Sequence, residues 1–418
     1  MRLLWIASPS CNYIPVGQED RGYNGGGWIS EMQKRLALRK DIKLGITFCM
    51  ENQPEKVSQD GVIYYLMHSH KKNVKDKILD FIHIDDEKRD EIVWAYYEDK
   101  LKEIIADFKP DLIHVFGSEL YPSLVTMVAG NIPTVLHLQG LLSLSIYILL
   151  PPGVSKWKFI FGGKGLRGKF FNYQYLAYWR RSAYREKAIL KAVPHAFGRT
   201  EWDKHGLAML NPHAKYHHCG EMLRSVFYEE RERIVPHRPI ISTTISSPLY
   251  KGFDVILKVA NILKNELKVD FEWNVYGNVS PEFMERLTGL KHENLNVKLL
   301  GLASAETIHE GLLHSTLYFH SSYTENSPNS VGEAQLVGVP VVAGRVGGTD
   351  SMVEHGKTGF LYPITDPYTA AYYVKYLIEK RDANITIGKA AREVALVRHD
   401  PDFIMDEMLK TYEEVLKK

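Results

Sequence analysis

Short apolar runs alternate along this chain with longer stretches whose apolar positions recur every three or four residues. The runs read as buried strands and the periodic stretches as amphipathic helices. In the first half, strands are predicted at 3–7, 43–49, 110–117 and 133–138. Helices are predicted at 28–38, 90–108 and 123–129, with Gly25, Gly26 and Gly27 as a loop after the first strand. The pattern restarts near residue 239. Strands are predicted at 239–246, 270–276, 297–300, 316–320, 339–343 and 358–362, with helical stretches at 251–264 and 305–314. Such alternation implies parallel sheets with helices on both faces. The predicted class is α/β, with two doubly wound, Rossmann-like domains facing a central cleft. The expected domains are 1–225 and 226–401. A last helix at 402–418 follows the end of the pattern.

Composition narrows the class. At 418 residues the chain exceeds one ordinary core, and two domains are the natural expectation. It is 45% hydrophobic and 24% charged, a globular balance. A formal net charge of +2 leaves no electrostatic footprint for a whole-protein nucleic-acid binder. Cys11, Cys49 and Cys219 are far apart and odd in number, so they form neither a metal-ligand spacing nor a disulfide framework, which fits a reducing cytosol. The apolar start is too short for a signal-peptide core. Residues 132–155 contain no Asp, Glu, Lys or Arg. Pro133, His137, Gln139, Gly140, Pro151 and Pro152 nevertheless make this segment a strand plus loop and not a membrane span.

One segment breaks the rhythm. Residues 151–191 carry ten basic residues against Glu186 alone, interleaved with aromatics from Trp157 to Trp179. A basic, aromatic, amphipathic stretch can lie on an anionic membrane surface. The alternative is a solvated helix face with its aromatics in the core.

Candidate chemistry concentrates in the second half. Glu325 and Glu333 flank a predicted helix start. Ser327 suits the N-cap and Pro328 the first helical position. The amides of Asn329, Ser330 and Val331 would then point out of the helix N-terminus, a ready anion site. One carboxylate reaches what sits in front of the anion and the other what hangs beside it, the layout of a sugar–diphosphate–nucleoside. Gly25–Gly27, Gly117, Gln139, Lys251 and Glu325 all follow predicted strands, where open α/β sheets bind ligands.

The run 297–363 resembles the C-terminal donor-site region of family 4 retaining glycosyltransferases, which have the GT-B fold. The matching pieces are Val297-Lys-Leu-Leu-Gly301, Glu325 with Glu333-Ala334, Gly338-Val-Pro-Val-Val-Ala343, Gly347-Gly348 and Glu354-His-Gly-Lys-Thr-Gly-Phe-Leu-Tyr362. The resemblance extends to Tyr250-Lys-Gly-Phe-Asp254, the triple glycine and 110–117. It implies that Glu325 contacts the transferred sugar, where a carboxylate holds hydroxyls and stabilises oxocarbenium-like charge. It implies that Glu333 accepts from the ribose hydroxyls and that Asn329, Ser330 and Val331 offer amides to the diphosphate. Lys251 matches a lysine that holds the diphosphate, where each charge-assisted bond contributes about 1.5–3 kcal/mol. Gly26 and Gly27 would let the backbone approach the same phosphates. Lys298 opens the segment that packs the base.

Several positions depart from the family. Ser246 stands where an arginine is usual, so the diphosphate must lean on Lys251, the amides, or another cation such as Arg199 or Arg224. Pro328 replaces a glycine and removes one donor. Gln139 matches a histidine near the reacting carbon. It can donate a hydrogen bond but cannot act as a base, which suits a mechanism in which the leaving phosphate takes the acceptor's proton. His137 faces the other side of its strand and reads as a core histidine. Asp400-Pro-Asp402 precedes the last helix and reads as a turn and cap, so no metal and no cofactor is implied. The last helix resembles one that crosses back onto the first domain.

The resemblance implies a retaining, metal-independent hexosyltransferase. The donor would be a nucleotide-sugar, UDP before GDP, and the acceptor a hydroxyl of a saccharide or lipid-linked glycan in cell-surface polysaccharide biosynthesis. The expected place is the cytoplasm, peripheral at the inner face of the plasma membrane through 151–191, with no nucleic-acid partner. Two other readings stay open. A GT-B sugar-nucleotide epimerase needs acid/base groups at the sugar, and Gln139 offers none. A non-catalytic nucleotide-sugar or glycan-binding module would bind donor without turnover.

Overall fold

Trp5 and Trp273, both fully buried, lie on inner strands of two separate sheets. The computed structural model describes residues 1–8, 11–17, 27–246 and 249–417. Within these, the chain divides into two units. The first comprises Met1–Ile146, Phe159–Met222 and Pro401–Lys418, and the second Tyr147–Lys158 and Leu223–Asp400.

The first unit contains β1 (Arg2–Ile6), β2 (Lys43–Cys49), β3 (Lys56–Gln59), β4 (Val62–Met67), β5 (Leu112–Phe116), β6 (Thr134–His137), β7 (His195–Gly198) and β8 (Lys215–His218). They form one sheet in the order β3-β4-β2-β1-β5-β6-β7-β8. Every pairing is parallel except β3 with β4. That hairpin turns on Asp60 and Gly61, with φ of 50° and 79°, the pair of positive angles a two-residue turn requires. Alternate residues of β1 feed opposite faces. Leu3 and Trp5 pack with Trp28 and Met32 of the helix Gly27–Ala37 and with Met408 and Tyr412 of the helix Pro401–Leu416. Leu4 and Ile6 pack with Tyr97, Leu101 and Phe108 of the helix Glu91–Phe108. The last helix is tied in by a 2.5 Å hydrogen bond between the Tyr412 hydroxyl and His114 Nδ1. The strand order reverses between β1 and β5, the switch point where a doubly wound sheet opens a crevice at its carboxyl edge.

The second unit contains β9 (Ile240–Thr244), β10 (Glu272–Tyr276), β11 (Val297–Gly301), β12 (Leu317–His320), β13 (Val341–Gly344) and β14 (Gly359–Tyr362). The order is β11-β10-β9-β12-β13-β14, all parallel. Its switch point lies between β9 and β12. Both units are thus doubly wound, as the alternation predicts.

The basic segment is not a uniform solvated face. It forms the helices Lys156–Phe161 and Gly165–Ala192. In the second helix Arg185 is fully buried on Asp90 at 2.6 Å, and Glu186 is fully buried as well. Arg181 donates to the carbonyls of His83 and Ile84, at 3.0 and 3.3 Å. The exposed apolar groups sit nearer the segment's start, at Trp157, Phe161, Leu166 and Phe171. Among the described residues no helix is long and apolar enough to cross a membrane.

Candidate functional site

Beyond β9 the chain reaches Lys251 and Gly252. Gly252 has φ of 74°, and a Cβ there would stand 2.0 Å from the carbonyl oxygen of Ser321. Only glycine allows that approach, which is the physical content of the Lys-Gly pair. Backbone bonds fasten the two loops together. Tyr323 N–H donates to Tyr250 O at 2.6 Å, and the Ser321 hydroxyl donates to Lys251 O at 2.8 Å. The result places Lys251 Nζ 2.5 Å from Glu325 Oε1. These groups follow β9 and β12, the two strands at the switch point.

Glu325 is held from behind as well. Gly347 has φ of 49°, and a Cβ there would meet Glu325 O at 1.9 Å. Gly348 N–H donates to the same oxygen at 3.0 Å. Burial pushes the Glu325 carboxyl up, but the Lys251 ammonium and His320 more than offset it and hold it well below the usual carboxylate range. Lys251 shifts in the matching direction: burial lowers it, and the Glu325 charge raises it beyond the ordinary lysine value. His320, at the end of β12, brings Nε2 within 3.6 Å of Glu325 Oε1. Sequence reading assigned it no role, although its place at a strand's carboxyl end was visible.

The helix after Glu325 starts one residue later than expected. It spans Asn329–Leu336 with Pro328 as its N-cap, in extended geometry with ψ of 112°. Ser327 does not cap it; the Ser327 hydroxyl turns to Met352 Sδ at 3.5 Å. The amide of Val331 is also not available, since it donates to Pro328 O at 2.9 Å. Asn329 and Ser330, the first two helical residues, keep amides with no acceptor inside the helix. The Thr244 N–H donates to the Tyr318 hydroxyl at 3.1 Å, and Tyr318 also bonds Ser330, linking β9 to the helix start.

Glu333 is buried and gripped by Arg224 through two parallel bonds of 2.8 Å. Burial raises its pKa, and Arg224 offsets this only in part. Arg224 therefore serves Glu333. Arg199 lies in the first unit, paired with buried Glu221 and donating to Leu138 O and Gln139 O at 2.9 and 3.2 Å. Ser246 is exposed two residues past the end of β9. Lys298 is not brought to the crevice. It is the second residue of the edge strand β11, half-exposed, and pairs with Glu272 at 2.6 Å.

In the first unit, Gly25 and Gly26 lie outside the described residues. Gly27 is buried and opens a helix instead of ending a loop. Gly117 follows β5 with φ of 85°. A Cβ there would stand 2.1 Å from Glu119 Oε2 and 3.5 Å from Gln139 Cδ, and one at Gly140 would lie 3.6 Å from Glu119 Oε1. Glu119 and Gln139 thus converge at the carboxyl edge of β5 and β6. Burial and the nearby Glu186 charge push the Glu119 carboxyl up to about 7. Sequence reading missed Glu119, because nothing local distinguishes it from a loop acid. His137 is fully buried against Trp28 at 4.9 Å, and burial holds it neutral, well below the usual histidine range. Among the described residues no three His, Cys, Asp or Glu side chains gather as a metal-ligating set.

Two doubly wound sheets, one carrying a lysine–carboxylate pair and a helix start at its switch point, define an α/β architecture of the doubly wound class. Residues 229–394 match the family described as Glycosyl transferases group 1. The N-acetyl-alpha-D-glucosaminyl L-malate synthase of Bacillus anthracis is 27% identical over 164 residues, 39% of this chain and 42% of that protein. The chain spans less than half the length of the curated relatives it matches. A sucrose-phosphate synthase from Thermosynechococcus elongatus superposes with a TM-score of 0.72 at 16% identity, covering 100% of this chain and 99% of that one. Anabaena HepE, solved in complex with UDP and glucose, gives 0.63 at 14% identity over 99% of this chain and 100% of its own. At such identities the structural likeness shows the fold alone. The second unit is thus similar to the group 1 glycosyltransferases, and the chain has the GT-B fold of these solved glycosyltransferases.

Proposed function

We propose that the protein is a retaining, metal-independent glycosyltransferase. It moves a sugar from a UDP-sugar to a hydroxyl of a saccharide or lipid-linked glycan in cell-surface polysaccharide biosynthesis. The observation that carries this reading is the Lys251–Glu325 pair at the switch point, beside the amides of Asn329 and Ser330. Donor phosphate competes with Glu325 for the Lys251 ammonium. Glu325, kept ionised, then faces the sugar. There its charge stabilises the cationic character that develops as the bond to the diphosphate breaks. The proton of the acceptor hydroxyl passes to the departing phosphate. Glu333 has lone pairs left beyond its two Arg224 bonds, so it accepts from ribose hydroxyls without releasing Arg224. The solved HepE complex with UDP and glucose supports the choice of nucleotide.

Glu325→Ala and Lys251→Ala lose at least about a hundredfold in transfer while keeping a native circular-dichroism spectrum. Full activity in both would sink the reading. Chelator leaves the rate unchanged if no metal takes part. A thermal-shift screen against UDP, GDP and ADP identifies the nucleotide by mass action. The site of action is the cytoplasmic membrane face, reached through the exposed aromatics and cations of 151–191, and flotation with anionic vesicles at low and high salt tests it.

One observation favours a second reading, a sugar-nucleotide epimerase. Glu119 supplies beside Gln139 the acid/base group that Gln139 lacks. Donor incubated without acceptor decides between them: a new sugar nucleotide means epimerase, and slow release of free nucleotide means transferase.

A further inference from the structure

The helix Val74–Ile82 has no buried residue, yet it carries four large apolar side chains. Val74, Ile78, Phe81 and Ile82 are between 54% and 72% exposed. A surface helix ordinarily turns such a stripe inward. Here it flanks a cavity of about 550 Å³ in the first unit, inside the range of roughly 300–1,000 Å³ that small-molecule sites occupy. The far wall is the long helix Gly165–Ala192, whose Phe170 ring meets Phe81 at 5.4 Å between centroids.

The cavity has two chemically different parts. Phe81, Ile84, Phe170 and Ala177 make an apolar trough. Lys72, Lys77, Arg181 and Arg185 supply four cations against Asp80 and Asp90, a surplus of two positive charges. Asp90 is already committed at the floor, where it accepts from Arg185 at 2.6 Å and from the Tyr121 hydroxyl at 2.5 Å. Asp80 is shared between Lys72 at 2.7 Å and Arg89 at 3.1 Å. Lys77 is exposed and has no acidic partner among the described residues. Nε of Arg181 and Nε of Arg185 are both buried without a hydrogen-bond partner. An apolar trough beside surplus cations and unused guanidinium donors matches one ligand chemistry, a hydrocarbon chain ending in a phosphate.

We propose that this cavity binds a lipid phosphate, with its chain in the trough of Phe81, Ile84 and Phe170 and its head between Lys77 and Arg181. The outward apolar face of Val74–Ile82 then enters the acyl layer beside it, and the neighbouring Lys71 and Lys75 face anionic headgroups. The proposal rests on the lipid-linked acceptor and membrane reading above. The ligand is either a bilayer phospholipid or the phosphate-bearing carrier of the glycan.

The experiment uses the full chain and soluble short-chain probes in titration calorimetry. Dioctanoyl phosphatidic acid is expected to bind at least about tenfold tighter than inorganic phosphate and than dioctanoyl phosphatidylcholine. Lys77→Glu and Gln174→Trp, both at exposed positions on the cavity rim, each lower that affinity about tenfold while leaving the UDP-induced thermal shift intact. Inorganic phosphate binding as tightly as the lipid, phosphatidylcholine binding equally, or indifference to both variants would overturn the proposal. Farnesyl phosphate as a parallel probe separates the two sources: tighter binding than phosphatidic acid points to the carrier, weaker to the bilayer. Transfer to a soluble acceptor is read in the same variants. Lipid binding without any donor binding sinks only the transferase reading, and donor binding with transfer but no lipid binding sinks only this one.

Discussion

The two switch points place carboxylates at the same topological position and drive them in opposite directions. Beside β9 and β12, Glu325 meets Lys251 and His320, and its pKa falls. After β5, the switch-point strand of the first unit, Glu119 meets another carboxyl, Glu186, while the Arg199 nearby is already paired with Glu221, and its pKa rises. Burial acts on both with the same sign, so the neighbouring charge decides. The fold supplies a place for ligand, and the partner residue sets whether that place holds a fixed charge or a group that exchanges protons near neutrality. A fixed anion suits a developing sugar cation. A carboxyl near 7 suits a hydroxyl, because it can both accept and donate.

The loops that build the two edges also differ, and this gives the largest expected effect. Gly252 faces a backbone carbonyl at 2.0 Å, whereas Gly117 faces the end of the Glu119 side chain at 2.1 Å. Backbone cannot retreat without moving β12, but a carboxylate can swing aside. Gly252→Ala should therefore cost about 3 kcal/mol or more and abolish nucleotide binding. Gly117→Ala should cost about 1–2 kcal/mol, mainly for its left-handed backbone, and leave nucleotide binding intact. Urea denaturation and a UDP thermal shift on both variants check this. Equal losses would mean that the two edges are equally rigid.

A smaller effect separates the carboxyls by pH. Glu119 is raised in the folded protein, so its stabilising contribution is present below the ordinary glutamate value, near 4.5, and is lost as pH climbs toward 7. Glu119→Gln removes that loss and should be about 1–2 kcal/mol more stable than the parent at pH 8, with the gap closing toward pH 4. Glu325 is lowered, so its contribution is present above about 4.5 and is lost as pH falls further. Glu325→Gln should be destabilised at pH 7, with that deficit shrinking in acid. Melting temperatures across pH 4–8 test both slopes. Parallel curves for the two variants would break the comparison.

How much of this was legible depended on whether the signal was local. The strands of the second unit follow the apolar runs to within a few residues, and Lys251, Glu325 and Glu333 stand where the sequence pattern put them, after β9, after β12 and inside the helix that follows. The hairpin β3–β4 was passed over, although Asp60-Gly61 is a turn signal, because Lys56–Gln59 alternates only weakly as a half-exposed edge strand. β8, Lys-Tyr-His-His, is polar enough to hide for the same reason. The misplaced helix start was a competition: Ser327 had a partner in Met352, distant in sequence, that no local rule contains. Glu119 was invisible because its shift comes from burial and then from Glu186, both supplied only by folding.

Lys298 gives the smallest effect and tests how far the resemblance carries on its own. The family likeness puts 298–302 against the base, yet Lys298 sits at the start of β11, and its ammonium goes to Glu272 with 57% of the side chain exposed. Ligands approach open sheets at the carboxyl ends of the strands, which on β11 is Gly301 and the exposed Leu302. An exposed pair of this kind is worth about 0–1 kcal/mol. Lys298→Ala should change stability by less than about 0.5 kcal/mol and leave the KM for donor within about twofold. Leu302→Asp, at the carboxyl end of the same strand, should raise that KM severalfold without altering kcat, the pattern of lost uniform binding. If Lys298→Ala weakens the donor and Leu302→Asp does not, base recognition runs through the strand's side chains and the carboxyl-edge placement is wrong for this part of the nucleotide.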